Sequence, residues 1–113
     1  MPERGEIWLA DLDPRQGTEP GKTRPVLIVQ AGALLRAEHP STLVVPLATR
    51  LIRDAEPLRV RVAKTGDLPR DSDALIDQLR PIDNRRLLKR LASPEGDTLG
   101  RIDIALREVL DLV

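Results

Sequence analysis

Residues Arg15–Val29 read RQGTEPGKTRPVLIV, a polar loop that runs into an apolar strand, with Arg24 and Pro25 at the junction. The strand portion, Val26, Leu27, Ile28 and Val29, has no polar face, which implies cover on both sides. Gly17, Pro20 and Gly21 let the loop turn and let a partner come close to its backbone. Arg15, Glu19, Lys22 and Arg24 supply groups that can hold a phosphate and handle a proton. The stretch reads as a recognition loop anchored on a core strand.

The flanking sequence is expected to build a sheet around that strand. Gly5–Leu12 reads as a first strand, ended by Asp13-Pro14, because proline gives a ladder no N–H. The second strand runs from Arg24 to about Gln30. Ala31–Glu38 fits a helical turn or two. Thr42–Thr49 is a third strand, with Pro46 marking a bulge or a free edge. After a charged connection over Arg50–Pro57, Leu58–Ala63 alternates, burying Leu58, Val60 and Val62 and presenting Arg59 and Arg61. Lys64–Asp67 is a turn, Leu68–Asp73 a polar connection and Ala74–Leu79 a strand ended by Arg80-Pro81. Asp83 is expected to cap a short helix over Asn84–Leu91. Ser93-Pro94-Glu95 signals the start of a last helix, with Leu99, Ile102, Leu106, Val109, Leu110 and Val113 along one stripe. The fold class is mainly β with a C-terminal helix: a small, strongly bent antiparallel sheet in a single domain, residues 1–113.

Composition narrows the function. Net charge is zero, from 18 basic and 18 acidic residues, which argues against a generic polyanion binder. The sum conceals a pattern. Residues 15–64 carry nine Lys or Arg against four Asp or Glu, so the centre of the chain is the candidate footprint for an anionic ligand. Fifteen of the basic residues are Arg, whose planar fork suits bidentate phosphate contacts, although a genomic bias toward Arg codons would give the same count. Trp8 is the one aromatic residue, which excludes a row of base-stacking rings. Without cysteine there is no disulfide, thiolate zinc site or cysteine nucleophile. No signal peptide or membrane-length apolar run is evident, so a soluble, cytoplasmic protein is expected.

Chemistry-bearing candidates are few. One histidine, His39, cannot make a two-imidazole acid–base pair within the chain. Asp67, Asp71 and Asp73 lie close in sequence, but a solvated surface run fits them better than a metal site, and no metal or cofactor is expected. Arg24 opens a buried strand and Thr49 closes another, at rims where a rigid scaffold presents a site. The same residues fit ordinary edge satisfaction, with Arg24 on Glu19 and Thr49 on local backbone, and spacing alone weighs toward that reading. Asp77 alternates with Leu75 and Leu79, so its carboxylate would share an apolar face and need Arg24 or Arg80 as partner, in a structural pair or in a site. The basic face of Arg59 and Arg61 fits either backbone positioning or plain solvation.

The pieces Arg4–Pro14 (RGEIWLADLDP), Gln16–Val29 (QGTEPGKTRPVLIV), Val44–Arg50 (VVPLATR) and Asp77–Asp83 (DQLRPID), in that order and spacing, resemble the MazF/PemK (Kid) toxins of bacterial toxin–antitoxin systems. The resemblance covers nearly the whole chain. It implies a small SH3-like β-barrel of the CcdB/MazF/PemK kind, a homodimer, and sequence-specific, metal-independent cleavage of single-stranded RNA. It also implies a cognate MazE-like antitoxin whose acidic tail fills the RNA groove. By motif, Arg24 and Thr49 fall on the leading catalytic pair, Glu19 on the acid of the loop, and Asp77 and Gln78 on substrate-binding positions. Arg15, Lys22 and Arg80 are further substrate-binding candidates. Leu75 stands where Kid-type members have an arginine, and no histidine lies between Arg15 and Thr23, so the chain is closer to the MazF branch. CcdB-like gyrase poisons share the fold but use a C-terminal Trp-Gly-Ile, where this chain reads Asp111-Leu112-Val113. A plain nucleic-acid-binding module is the other alternative.

Overall fold

The computed structural model describes residues 1–13, 17–18 and 22–113. These form β1 (Ile7–Asp11), β2 (Thr23–Ile28), α1 (Gly32–Arg36), β3 (Ser41–Ala48), β4 (Arg59–Val62), β5 (Ser72–Leu75), β6 (Arg80–Asp83), β7 (Leu87–Ala92) and α2 (Thr98–Leu110). Among the described residues the strand pairings are antiparallel and run β4-β5-β3-β2-β1-β7, with β6 also on β3. Among the described residues the two ends of that order, β4 and β7, do not pair, so the sheet is bent but not closed.

β3 is the pivot. One edge pairs β2 through Val26–Pro46, Leu27–Val45 and Ile28–Val44. The other edge forks: Ser41–Val44 pair β6, then Leu47 and Ala48 pair β5. Val45 and Pro46 fall in the gap between those partners, where a residue without an N–H is tolerated.

β2 is covered on both sides, as its sequence requires. Leu27 joins Ile7, Val45, Leu47, Val60 and Ile102 in one core. Val26 and Ile28 join Ala10, Leu12, Leu35, Val44 and Ile82 in a second core on the opposite face. α2 closes the first core with Ile102 and Ala105 buried and Leu99, Leu106 and Val109 packed alongside. At Gly5 (φ 93°) the backbone passes so near this helix that a Cβ would lie 2.7 Å from Leu99 Cδ1. Among the described residues no helix is long and apolar enough to cross a membrane.

Several sequence expectations need correction. Leu87–Ala92 is a strand, preceded by a 3₁₀ turn at Asn84–Arg86 that Asp83 does cap, by accepting the Arg85 N–H. The leucine spacing fitted a helix, but β1 has a second edge, and β7 pairs it through two irregularities in register. Those irregularities erase the alternation that would have betrayed a strand. Ala74–Leu79 is not one strand either. β5 takes in Ser72 and Asp73, a 3₁₀ turn occupies Ile76–Gln78, and Arg80-Pro81 opens β6 rather than ending a strand. α2 begins at Thr98 rather than after Ser93, because Gly96 at φ 63° interrupts the helical path. It stops at Leu110, with Asp111 left-handed, so Val113 lies outside the stripe and Leu110 is exposed.

Candidate functional site

The recognition loop is tied at its base. Leu12 N–H donates to Lys22 O at 2.8 Å, and Lys22 N–H to Asp13 Oδ1. Arg86 donates from Nη1 to Asp11 O at 3.1 Å and also to Asp13 O. Lys22 is exposed and left-handed at φ 64°. Arg15 and Glu19, two of the expected site residues, lie outside the described residues.

Arg24 is half-buried on β2, opposite Ala10 of β1. Carried outward from Val26–Pro46, the β2–β3 register sets Arg24 opposite Ala48, next to exposed Thr49. Both therefore stand at one end of the same ladder. Strand alternation puts Arg24 on the face of Val26 and Ile28, and Thr49 on that of Val45 and Leu47. A ligand that meets both must reach over the end of the ladder. Arg80, half-buried and paired with Val44, shares the Arg24 face.

Asp77 departs from expectation. A 3₁₀ turn advances about a third of a revolution per residue, so it breaks the alternation at Leu75, buries Ile76 and leaves Asp77 exposed to solvent. It needs no buried partner. Asp77 and Gln78 line a cavity of about 520 Å³ with Thr18 of the recognition loop and with Ile52 and Asp54–Arg59. The turn thus brings Asp77 and Gln78 to the loop, while Arg24 and Thr49 lie outside this lining. Among the described residues no three His, Cys, Asp or Glu side chains group as a metal site would.

Sequence reading missed the charged centre beside this cavity. Asp73 is not a solvated loop residue: it lies on β5 with its side chain 1% exposed. Arg61 Nε donates to Asp73 Oδ1 at 2.7 Å, and Arg59 Nη1 to Oδ2 at 3.3 Å. Ile52 N–H also donates to Oδ2, at 2.9 Å. Burial pushes the Asp73 carboxyl up, but the bonds from Arg61, Ile52 N–H and Arg59 more than reverse this, so it sits below its ordinary value. The presented face of Arg59 and Arg61 is thus an ion cluster rather than a solvated pair. The available signal was two arginines on one strand face, which call for a counter-ion on the neighbouring strand. A second cavity of about 590 Å³ opens over the cluster, and Arg101 of α2 closes its side through Glu56 at 2.7 Å.

Fold and site together define a small bent-sheet domain with an arginine and a hydroxyl at one ladder end. Comparison with known proteins narrows that class. The profile described as PemK-like, MazF-like toxin of type II toxin-antitoxin system matches residues 3–110, and the chain belongs to this family. Endoribonuclease EndoA of Bacillus subtilis (strain 168) is 32% identical over 112 residues, spanning 98% of this chain and 96% of the relative. The fold is also that of MazF from Deinococcus radiodurans, with a TM-score of 0.80, 24% identity and coverage of 98% of this chain and 97% of that one. An endoribonuclease in complex with its cognate antitoxin, from a mycobacterial species, superposes with a TM-score of 0.77 at 24% identity, covering 100% of this chain and 98% of that one.

Proposed function

We propose that this chain is the toxin of a type II toxin–antitoxin pair and a sequence-specific endoribonuclease acting on single-stranded RNA in the cytoplasm. The observation that carries the reading is family membership over nearly the full chain, with a relative of like length named as an endoribonuclease. The placement of Arg24 and Thr49 at one end of the β2–β3 ladder supports it.

RNA brings its own nucleophile. The 2′-hydroxyl attacks the adjacent phosphorus and the bond to the 5′-oxygen breaks, leaving a 2′,3′-cyclic phosphate and a 5′-hydroxyl. DNA lacks the attacking group and is inert. The protein has to bend the backbone into line, move protons and stabilise the five-coordinate phosphorus, and needs no metal for this. Arg24 supplies a fixed, always-charged fork to the non-bridging oxygens. A guanidinium stays protonated at neutral pH and is a poor proton shuttle there. Glu19 or Asp77 suits the base better, and Thr49 donates to the phosphate. Arg15, Lys22, Gln78 and Arg80 hold the flanking RNA.

The working unit is a homodimer of one SH3-like domain each, residues 1–113, and the acidic tail of a MazE-like antitoxin blocks the RNA groove. The mycobacterial relative solved with its cognate antitoxin supports the pairing with an antitoxin. The test incubates a long RNA with purified protein in EDTA and maps the cut ends. Cleavage with cyclic-phosphate ends is expected, and it should fall on the order of a hundredfold or more in Arg24→Ala. Arg24→Lys, which keeps the charge but loses the fork, should also fall severely. Cleavage that vanishes in EDTA, or survives Arg24→Ala, would overturn the mechanism.

A further inference from the structure

Thr49 leaves the sheet immediately beyond Ala48–Asp73, the last β3–β5 pair among the described residues. Of the three residues after it, Arg50 and Ile52 are held by the ion cluster rather than by a strand. Asp73 Oδ2 accepts the Ile52 N–H at 2.9 Å. Arg59 Nη1 donates to Arg50 O at 3.0 Å, and Arg61 Nη2 to Ile52 O at 3.4 Å. Thr49 is thus bracketed, with a β3 pair before it and a carboxylate–guanidinium clamp after it.

Stability alone does not account for the clamp. A carboxylate 1% exposed carries a desolvation cost that its partners repay only in good geometry, and apolar packing in its place is often no less stable. What the charges do here, and apolar side chains cannot, is fix three backbone groups of Arg50 and Ile52 in direction as well as distance. Ile52 also lines both cavities, so the same clamp sets the wall facing Asp77 and Gln78.

We infer that Asp73, through Arg59 and Arg61, is a positioning residue for RNA cleavage, holding the Arg50–Ile52 backbone so that Thr49 stays at its working place. The inference rests on the proposed RNA-cleaving reading. Two readouts keep the two apart: amide hydrogen exchange at Ile52 reads the clamp without RNA, and wild-type cleavage reads the function. In Asp73→Asn, Ile52 exchange should rise at least about tenfold, as expected for a lost local constraint. The kcat should fall about tenfold to a hundredfold with KM nearly unchanged, the signature of misplacement rather than lost binding. In a Thr49→Ala background the same substitution should cost little more, because its effect runs through Thr49. Arg61→Gln, at a half-exposed partner, should show a smaller change of the same kind, and it serves if Asp73→Asn does not fold. Unchanged Ile52 protection in both variants, or full multiplication of the Asp73 and Thr49 losses, would overturn the inference whether or not the wild type cuts RNA. A wild type that leaves RNA intact with Ile52 protected would instead defeat the functional reading.

Discussion

The two ends of β3 are secured by different chemistry. At its start the side chains bond to neutral partners: Thr42 Oγ1 donates to Asn84 Oδ1 at 2.6 Å, and Asn84 Nδ2 to His39 O at 2.7 Å. Gln30 accepts the Leu43 N–H at 3.1 Å and donates to Ser41 O at 3.2 Å. At its far end stand one carboxylate and two guanidiniums, with a net charge of +1 by that count. A satisfied amide can be buried cheaply and sends no field outward. A buried carboxylate demands cations and leaves charge at the rim. The neutral end behaves as scaffold, and the charged end adjoins the cavities, Thr49 and the loop.

If that division is real, substitutions should separate activity from stability. The largest effect belongs to Thr49→Ala: about a hundredfold loss of cleavage, with the thermal midpoint unmoved because the side chain is exposed. Steady-state cleavage and a melt of the same preparation check both halves. The converse is Gln30→Ala, which strips the Leu43 N–H of its acceptor inside the fold. It should cost about 1–3 kcal/mol in urea denaturation while cleavage per folded molecule stays at the wild-type level. A stability loss at Thr49, or an activity loss at Gln30 in fully folded protein, would break the comparison.

The sequence made the scaffold legible wherever one residue pattern answered to one neighbour. Val26–Val29 lacks a polar face because two cores flank it, and Pro46 marks the place where β3 changes partners. The stripe from Leu99 to Val109 describes α2 because a single flat core meets it. Legibility failed where the structure depends on a distant partner. Leu87–Ala92 takes its conformation from the free edge of β1, some 80 residues earlier in the chain. Asp73 looks like a loop acid until β4 is laid beside it. Of the site, motif resemblance nominated Arg24, Thr49, Asp77 and Gln78, but local pattern misjudged Asp77, since nothing in ALIDQL announces a 3₁₀ turn. The clamp had no motif to announce it at all.

Acid should distinguish the two ends as well. The Asp73 carboxyl is held below its ordinary value of 3.8. A depressed folded-state pKa contributes stability that is present above the unfolded value and is lost as pH falls through the lower, folded one. Wild-type stability should therefore decline as pH drops from about 4 downward. Asp73→Asn should flatten part of that decline. Glu6 carries a share of its own. Burial raises its carboxyl, but bonds from Trp8, the Glu3 N–H and Arg90 bring it below 4.5, so some slope will remain. The amide network of Gln30, Thr42 and Asn84, whose side chains do not titrate, should add nothing, and Gln30→Ala should shift the curve without changing its shape. Thermal midpoints between pH 2 and 7 would show a parallel offset for one variant and a changed slope for the other.

The smallest effect is expected at Asp83, where the charged pairing lies in solvent. Arg85 donates to this carboxylate from its backbone N–H at 2.9 Å and from its side chain at 3.0 Å, and these bonds hold the carboxyl down at about 2. Arg85 is almost wholly exposed and Asp83 about half so, which lets water screen the pair, and Asp83→Asn should leave both the thermal midpoint and cleavage as they are. Carboxyl NMR should find Asp83 titrating near 2 in the wild type. A clear loss of stability in that variant would mean that a solvent-exposed ion pair holds this fold. The distinction between a charged end that positions and a neutral end that stabilises would then fail at the turn joining β6 to β7.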